Sequence, residues 1–236
     1  MTVPAIGHHA RVREELGRAV GPHGEVALHR RHGEDGAVVT ELVVDGVFAM
    51  DDVDTSTEVA LAAQALARLD GDRLRVLVGG LGLGWTAASV LADPRVAAAV
   101  VAELQPALAG WAGDRLLPGL PDGPLDPRLS IEVGDVAGRL VDGAGWDAVL
   151  LDVDNGPHFL VHESNAALYA PAGLGAALRS VRPGGVLAIW SSDPAPQLLA
   201  RLSGLPGAVD VEQVVLPVER DGRVLDYALL FARRAR

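Results

Sequence analysis

Val78-Gly79-Gly80-Leu81-Gly82-Leu83-Gly84-Trp85 joins an apolar run at residues 74–78 to a helical stretch at 86–91. Strand, glycine-rich turn and helix in that order open a nucleotide-binding βαβ unit. Glycines let the backbone turn tightly and approach a ligand with no Cβ in the way. A second apolar strand, residues 96–102, leads to Glu103. This acid stands roughly 20 residues past Gly84, the spacing at which a carboxylate meets the ribose hydroxyls of a bound nucleoside. Gly80, Gly82, Gly84 and Glu103 are therefore the candidate nucleoside-binding residues.

Downstream the alternation continues. A helix is expected near 105–116 and a third strand at 129–133. The fourth strand, 148–151, has no polar residue, as expected of a strand buried on both faces. Residues 166–181 read as helical, Arg182-Pro183-Gly184-Gly185 as a turn, and 186–190 as a fifth strand. Two closing strands, 209–218 and 224–232, flank the turn Glu219-Arg220-Asp221-Gly222. The pattern predicts an α/β fold with a mostly parallel seven-stranded sheet, covered on both faces and carrying an antiparallel C-terminal hairpin at one edge.

Upstream, Val38, Val39, Leu42, Val43, Val44, Val47 and Phe48 are strand formers, and Asp45-Gly46 is a turn signal. With residues 25–31 they predict a small N-terminal β-hairpin region (1–54) ahead of a Rossmann-like domain (55–236). Residues 11–20 are expected to form a short helix. Thr55 and Glu58 have capping-box spacing, and Val59, Ala62, Leu66 and Leu69 continue at helical spacing.

Composition narrows the chemistry. The chain has 236 residues, 31 acidic against 20 basic, and a net charge of -11. It has no Cys, and every basic residue other than His is Arg. Disulfides, thiol catalysis and Cys-ligated metals are excluded, as are Schiff-base, pyridoxal-phosphate and P-loop lysines. The acidic balance argues against nucleic-acid and anionic-membrane surfaces and suits a cationic substrate. No stretch is long and apolar enough to span a bilayer, and the N-terminus lacks a basic and apolar leader, so a cytoplasmic location is expected.

Two further acidic positions follow strands. Gly134-Asp135-Val136 comes after the third, where Asp135 can accept from an adenine amino group. Asp152-Val153-Asp154-Asn155-Gly156-Pro157-His158 comes after the fourth. Ligands of open α/β sheets bind outside the strand C-termini, which places Asp152 at the crevice, able to accept an ammonium proton or hold an attacking amine. Asp154 and Asn155 are candidates beside it. The run is not a calcium loop, since Gly156 comes one position early and Pro157 occupies the required glycine position. His8, His9, His29 and His32 match no metal-ligand spacing, and no metal is expected. Gly82-x-Gly84-x-x-Ala87 also fits a loose dinucleotide fingerprint, which leaves NAD as a competing ligand. Asp135 and the closing hairpin favour an adenosyl-sulfonium ligand instead, since a sulfonium needs no pyrophosphate cradle.

With these motifs in order, the chain resembles the spermidine synthase (polyamine aminopropyltransferase) family, on the class I S-adenosylmethionine-dependent methyltransferase fold. The resemblance covers residues 37–232. It rests on Glu41-Leu42-Val43-Val44-Asp45-Gly46-Val47, the Gly79–Gly84 loop, Glu103, Gly134-Asp135, residues 152–157, Leu168-Tyr169 and Arg182-Pro183-Gly184-Gly185. It implies that Glu103 binds the donor ribose, Asp135 the adenine, and that Asp152 accepts from the attacking amine. The implied donor is decarboxylated S-adenosylmethionine, or S-adenosylmethionine itself, and the implied acceptor is putrescine or a similar small amine. Family members often form homo-oligomers, which an exposed apolar strand edge would suit. The chain departs from the pattern at three places. Gly82 stands where the family carries an Asp that holds the donor's amine end. Ser56-Thr57-Glu58 replaces a Tyr-His pair, and Asn155 replaces the second Asp of the acidic loop. These departures keep open a small-molecule methyltransferase, a non-catalytic nucleoside-binding protein and, less directly, a dinucleotide oxidoreductase.

Overall fold

A computed structural model describes residues 13–32, 36–141, 143–153, 165–220 and 222–236. Its centre is β5 (Leu74–Gly79), a strand of small and branched apolar residues flanked by parallel partners on both sides. On one side lie β6 (Val96–Glu103) and β7 (Leu129–Val133), and on the other β8 (Trp146–Leu151) and β9 (Val181–Ser191). The antiparallel pair β10 (Ala208–Arg220) and β11 (Arg223–Arg234) completes a seven-stranded sheet in the order β10-β11-β9-β8-β5-β6-β7. This is the Rossmann-like, class I methyltransferase arrangement expected from the sequence. The chain runs outward from β5 to β7, then returns to β8 on β5's other side. The crevice of such a sheet opens at that reversal, outside the strand C-termini.

Alternation along the strands divides the core in two. Val76, Val78, Ala148, Leu150 and Ala188 face one layer, with helices α1 (Ser56–Ala67), α2 (Trp85–Ala92) and α3 (Pro106–Gly113). Leu77, Val149, Leu151, Leu187 and Ile189 face the other, with α4 (Ala166–Tyr169), α5 (Pro171–Ser180) and α6 (Pro196–Ser203). Successive side chains point to opposite faces, so a strand covered on both must be apolar throughout.

The N-terminal region is larger than a hairpin. Strands β1 (Arg13–Gly21), β2 (Gly24–His32), β3 (Val38–Val44) and β4 (Val47–Asp51) form a four-stranded antiparallel sheet in chain order. Of the helix expected at 11–20, the described part from Arg13 onward is a strand. Its Glu, Leu, Arg and Ala favour helix, but pairing with β2 overrides that local preference. Arg18 ties the pairing with bonds to Glu15 and Glu25, while Leu16 and Ala19 pack on the core.

Three smaller expectations also change. The helical stretch at 166–181 breaks at Ala170-Pro171 into α4 and α5, because proline cannot continue a helix but starts one well. The turn at Arg182–Gly185 is an irregularity inside β9, where Trp146 faces Val181 and Ala148 faces Val186. The capping box at Thr55 does not form. Thr55 makes no side-chain cap bond, and Glu58 turns inward. Among the described residues, no helix is long and apolar enough to cross a membrane.

Candidate functional site

A cleft lies over the C-terminal ends of β5, β6, β7 and β8, roofed by β3 and β4. Its empty volume is about 1020 Å³, much of it open to solvent. Gly80, Gly82, Glu103, Asp135 and Asp152 all line it. Gly84 does not. It caps α2 with φ of 95° and backs onto Leu120. Asp154 and Asn155 lie outside the described residues.

Gly80 forms the floor. Its φ is +89°, and a Cβ there would sit 2.2 Å from the Asp152 carbonyl oxygen. The turn therefore passes directly against the end of β8, which is held by the Asp152 N–H donating to the Gly79 carbonyl at 2.9 Å. Gly82 is bare for a different reason. A Cβ there would meet the Met50 sulfur at 2.7 Å, so β4 reaches over the loop and fills that space.

Glu103, at the end of β6, is buried, and each of its oxygens takes a backbone donor. One carboxylate oxygen accepts the Leu81 N–H at 2.8 Å, the other the Gln105 N–H at 2.7 Å. Burial raises its pKa, and those backbone donors offset only part of the rise. Gln105 in turn donates to the His23 carbonyl at 2.6 Å, tying the β1–β2 turn to the cleft rim. Asp135 stands exposed after β7. Its Oδ1 accepts the Ala137 N–H at 2.8 Å and caps a short 3₁₀ turn, Val136–Arg139.

Asp152 is placed differently. Its Oδ2 accepts the Thr86 hydroxyl at 2.6 Å, from the first turn of α2. Burial, and then the charge of Glu58, push its pKa up to about 7, against the Thr86 hydrogen bond. Glu58 comes from the first turn of α1 and is itself buried. Its carboxylate accepts from the Thr57 hydroxyl at 2.7 Å, and that hydroxyl accepts the Trp190 indole N–H at 3.1 Å. Burial and, less strongly, Asp54 raise the Glu58 pKa, while Thr57 and Arg220 oppose the rise. The Glu58 charge therefore opposes ionisation of Asp152.

Sequence reasoning missed Glu58, Thr57, Thr86 and Trp190. The signal was present at Thr57-Glu58, where a Glu in a first helical turn can either cap or face inward. Spacing alone does not choose between them. Among the described residues, no cluster of three or more His, Asp or Glu could hold a metal ion. His29 is buried in β2, with Nε2 3.8 Å from Glu15, and is not among the cleft-lining residues.

Among the described residues, the ionisable ones lining the cleft are Glu58, Glu103, Asp135 and Asp152. No basic side chain is among the described lining residues. The cavity suits a cation and a nucleoside, and opposes a ligand whose negative charge would lie among these acids.

No sequence-family model matches this chain, and no curated protein matches it in sequence. Solved structures do match in shape. A spermidine synthase crystallised with the transition state analogue AdoDATO superposes with a TM-score of 0.70 at 18% identity, over 93% of this chain and 73% of that one. Spermidine synthase from Thermotoga maritima gives a TM-score of 0.70 at 18% identity, over 93% and 72% respectively. At that identity the likeness is one of fold: this chain shares the architecture of these two spermidine synthases over most of its length.

Proposed function

We propose that the protein is a transferase of the spermidine-synthase type, taking an adenosyl-sulfonium donor and a small amine acceptor. The observation that carries this reading is the lining of the cleft: a glycine floor, four carboxylates and no described basic residue. Glu103 offers its remaining lone pairs to the ribose hydroxyls, and Asp135 accepts from the adenine amino group. The sulfonium charge lies among acids that would repel a pyrophosphate, which sets NAD aside. The same argument favours decarboxylated S-adenosylmethionine, since a donor carboxylate would find no cation in the described lining.

Asp152 handles the proton. With its pKa pushed up to about 7, it is poised to accept from an ammonium near neutral pH. The neutral nitrogen then attacks the donor carbon while the carbon–sulfur bond breaks, and the electron pair goes to sulfur. The other contribution is alignment, since holding both reactants in line removes much of the entropic barrier.

The bare Gly82 favours a second reading. With no acid there to hold the donor's amine end, the cleft could instead serve methyl transfer from intact S-adenosylmethionine. Calorimetric titration with S-adenosylmethionine, its decarboxylated form, methylthioadenosine and NAD separates the readings. Tighter binding of the decarboxylated donor and methylthioadenosine is expected. Preference for the intact donor would establish the methyltransferase reading, and binding of NAD alone would overturn both.

A further inference from the structure

An irregularity in the roof places Met50 over the cleft. Strands β3 and β4 pair Leu42 with Met50 and Val43 with Phe48, which leaves Ala49 as an extra residue on β4. A bulge of this kind re-aims the side chains around it. Ala49 and Met50 both line the nucleoside cleft, beside Leu42 and Val44 of β3. Met50 is half-buried there, within reach of a small solute in the cleft.

The thioether is held against the glycine loop. Its sulfur would lie 2.7 Å from a Cβ at Gly82, so no further heavy atom fits between sulfur and loop. Leu42, Val44, Ala49 and Leu81 line the same cleft with hydrocarbon side chains, which offer no hydrogen-bond donor. A polarizable, weakly polar sulfur suits such surroundings. It is also an oxidisable group with few rivals. The chain has no Cys and one other methionine, Met1, which lies outside the described residues.

We propose that Met50 is a modification site, at which a hydroperoxide converts the thioether to a sulfoxide and so weakens nucleoside binding in the cleft. A sulfur lone pair takes one oxygen of the peroxide as the O–O bond breaks. Sulfur is oxidised by two electrons and the peroxide is reduced by two. With hydrogen peroxide the second oxygen leaves as water. The new oxygen has no room toward Gly82, so the side chain carries it to the cavity side. A flexible apolar group has then become a polar, chiral one among hydrocarbon neighbours. A ligand that covers the new oxygen must strip its water without supplying a partner. Methionine sulfoxide reductases reverse such a change, which makes the site a switch rather than a lesion. The reaction at sulfur stands apart from the transferase reading, while its effect on adenosyl ligands rests on that reading.

The test treats the wild type and Met50→Leu with hydrogen peroxide, with N-acetylmethionine in the same tube as a reference. Peptide mass spectrometry then locates the added oxygen, and calorimetry measures methylthioadenosine affinity before and after treatment. One added oxygen at Met50 is expected in the wild type, with affinity lowered about fivefold or more, the scale of an apolar contact replaced by an unpaired polar group. Methionine sulfoxide reductase should restore it. Met50→Leu should keep the same affinity through treatment, whatever its starting value. Met50 left intact when the reference is fully converted would overturn the proposal, as would unchanged affinity in the oxidised wild type. If the untreated protein binds no methylthioadenosine, the transferase reading falls, and the urea midpoint decides the modification site instead. A midpoint lowered by peroxide in the wild type and not in Met50→Leu would support a coupled β4 and glycine loop, and equal midpoints would overturn it.

Discussion

Glu103 and Asp152 end neighbouring strands on either side of β5, and both are carboxylates held in the same cleft. Their surroundings differ. Glu103 takes a backbone N–H on each oxygen, from donors that cannot move without unfolding the turn. Asp152 takes one rotatable hydroxyl and faces a second carboxylate. The first environment fixes the position of a carboxylate whose pKa burial raises. The second leaves a carboxylate less firmly anchored, its pKa pushed up to about 7 by burial and by the charge of Glu58. One sheet edge thus carries a rigidly anchored acid and a loosely anchored one, distinguished by hydrogen-bond donors rather than by residue type.

The contrast can be broken most sharply at Asp152. Asp152→Asn should lower turnover about 10²- to 10⁴-fold, the range for a positioned general base, while nucleoside affinity stays close to wild type. Steady-state kinetics beside calorimetry would show it, and full turnover would remove Asp152 from the chemistry. Glu103→Ala should do the reverse and abolish measurable methylthioadenosine binding. It also leaves two buried N–H groups unpaired, at about 1–3 kcal/mol each, so a lowered urea midpoint should accompany the loss. Unchanged affinity in a folded variant would count against its ribose role.

Gly80→Ala tests the floor that joins the two halves. The added methyl collides with the Asp152 carbonyl at a backbone angle unfavourable to alanine. A destabilisation of about 1–3 kcal/mol is expected from the strain alone, readable by urea denaturation. A further effect is in the pH dependence of stability. A carboxyl whose folded pKa lies above its unfolded value favours the folded state most when protonated. The Asp152 contribution is therefore greatest below its ordinary value of 3.8, falls as pH rises toward about 7, and is level above that. Asp152→Asn should consequently gain stability relative to wild type at pH 8 and not at pH 4. Parallel denaturation curves at the two pH values check the sign.

The placing of Glu103 and the glycine turn in the cleft was legible in the sequence because the signals are local. The glycine turn, the acid roughly 20 residues beyond it and the apolar strands each depend on short-range geometry. On the other side of β5 only the placing of Asp152 was legible. Glu58 is brought to the cleft by the angle of α1 against β8 and β9, and Trp190 by the far end of β9. Neither is encoded in a neighbouring residue. The first strand was misread for a related reason. Residues 13–21 carry helix-favouring side chains, and only the β2 partner shows them extended. Val38–Val44 needed no such help, since β-branched residues there agree with the fold.

The Met50 sulfur over Gly82 couples β4 to the glycine loop. Asp tolerates the left-handed backbone at position 82, where φ is +50°, so conformation alone does not forbid an acid there. A Cβ at that position would lie 2.7 Å from the Met50 sulfur, so the thioether must move. It lies near the end of a flexible side chain, which makes that shift cheap. An acid on the loop therefore asks for a new Met50 rotamer before it asks for a second substitution, and its arrival would be felt first in β4, in the sheet that roofs the cleft.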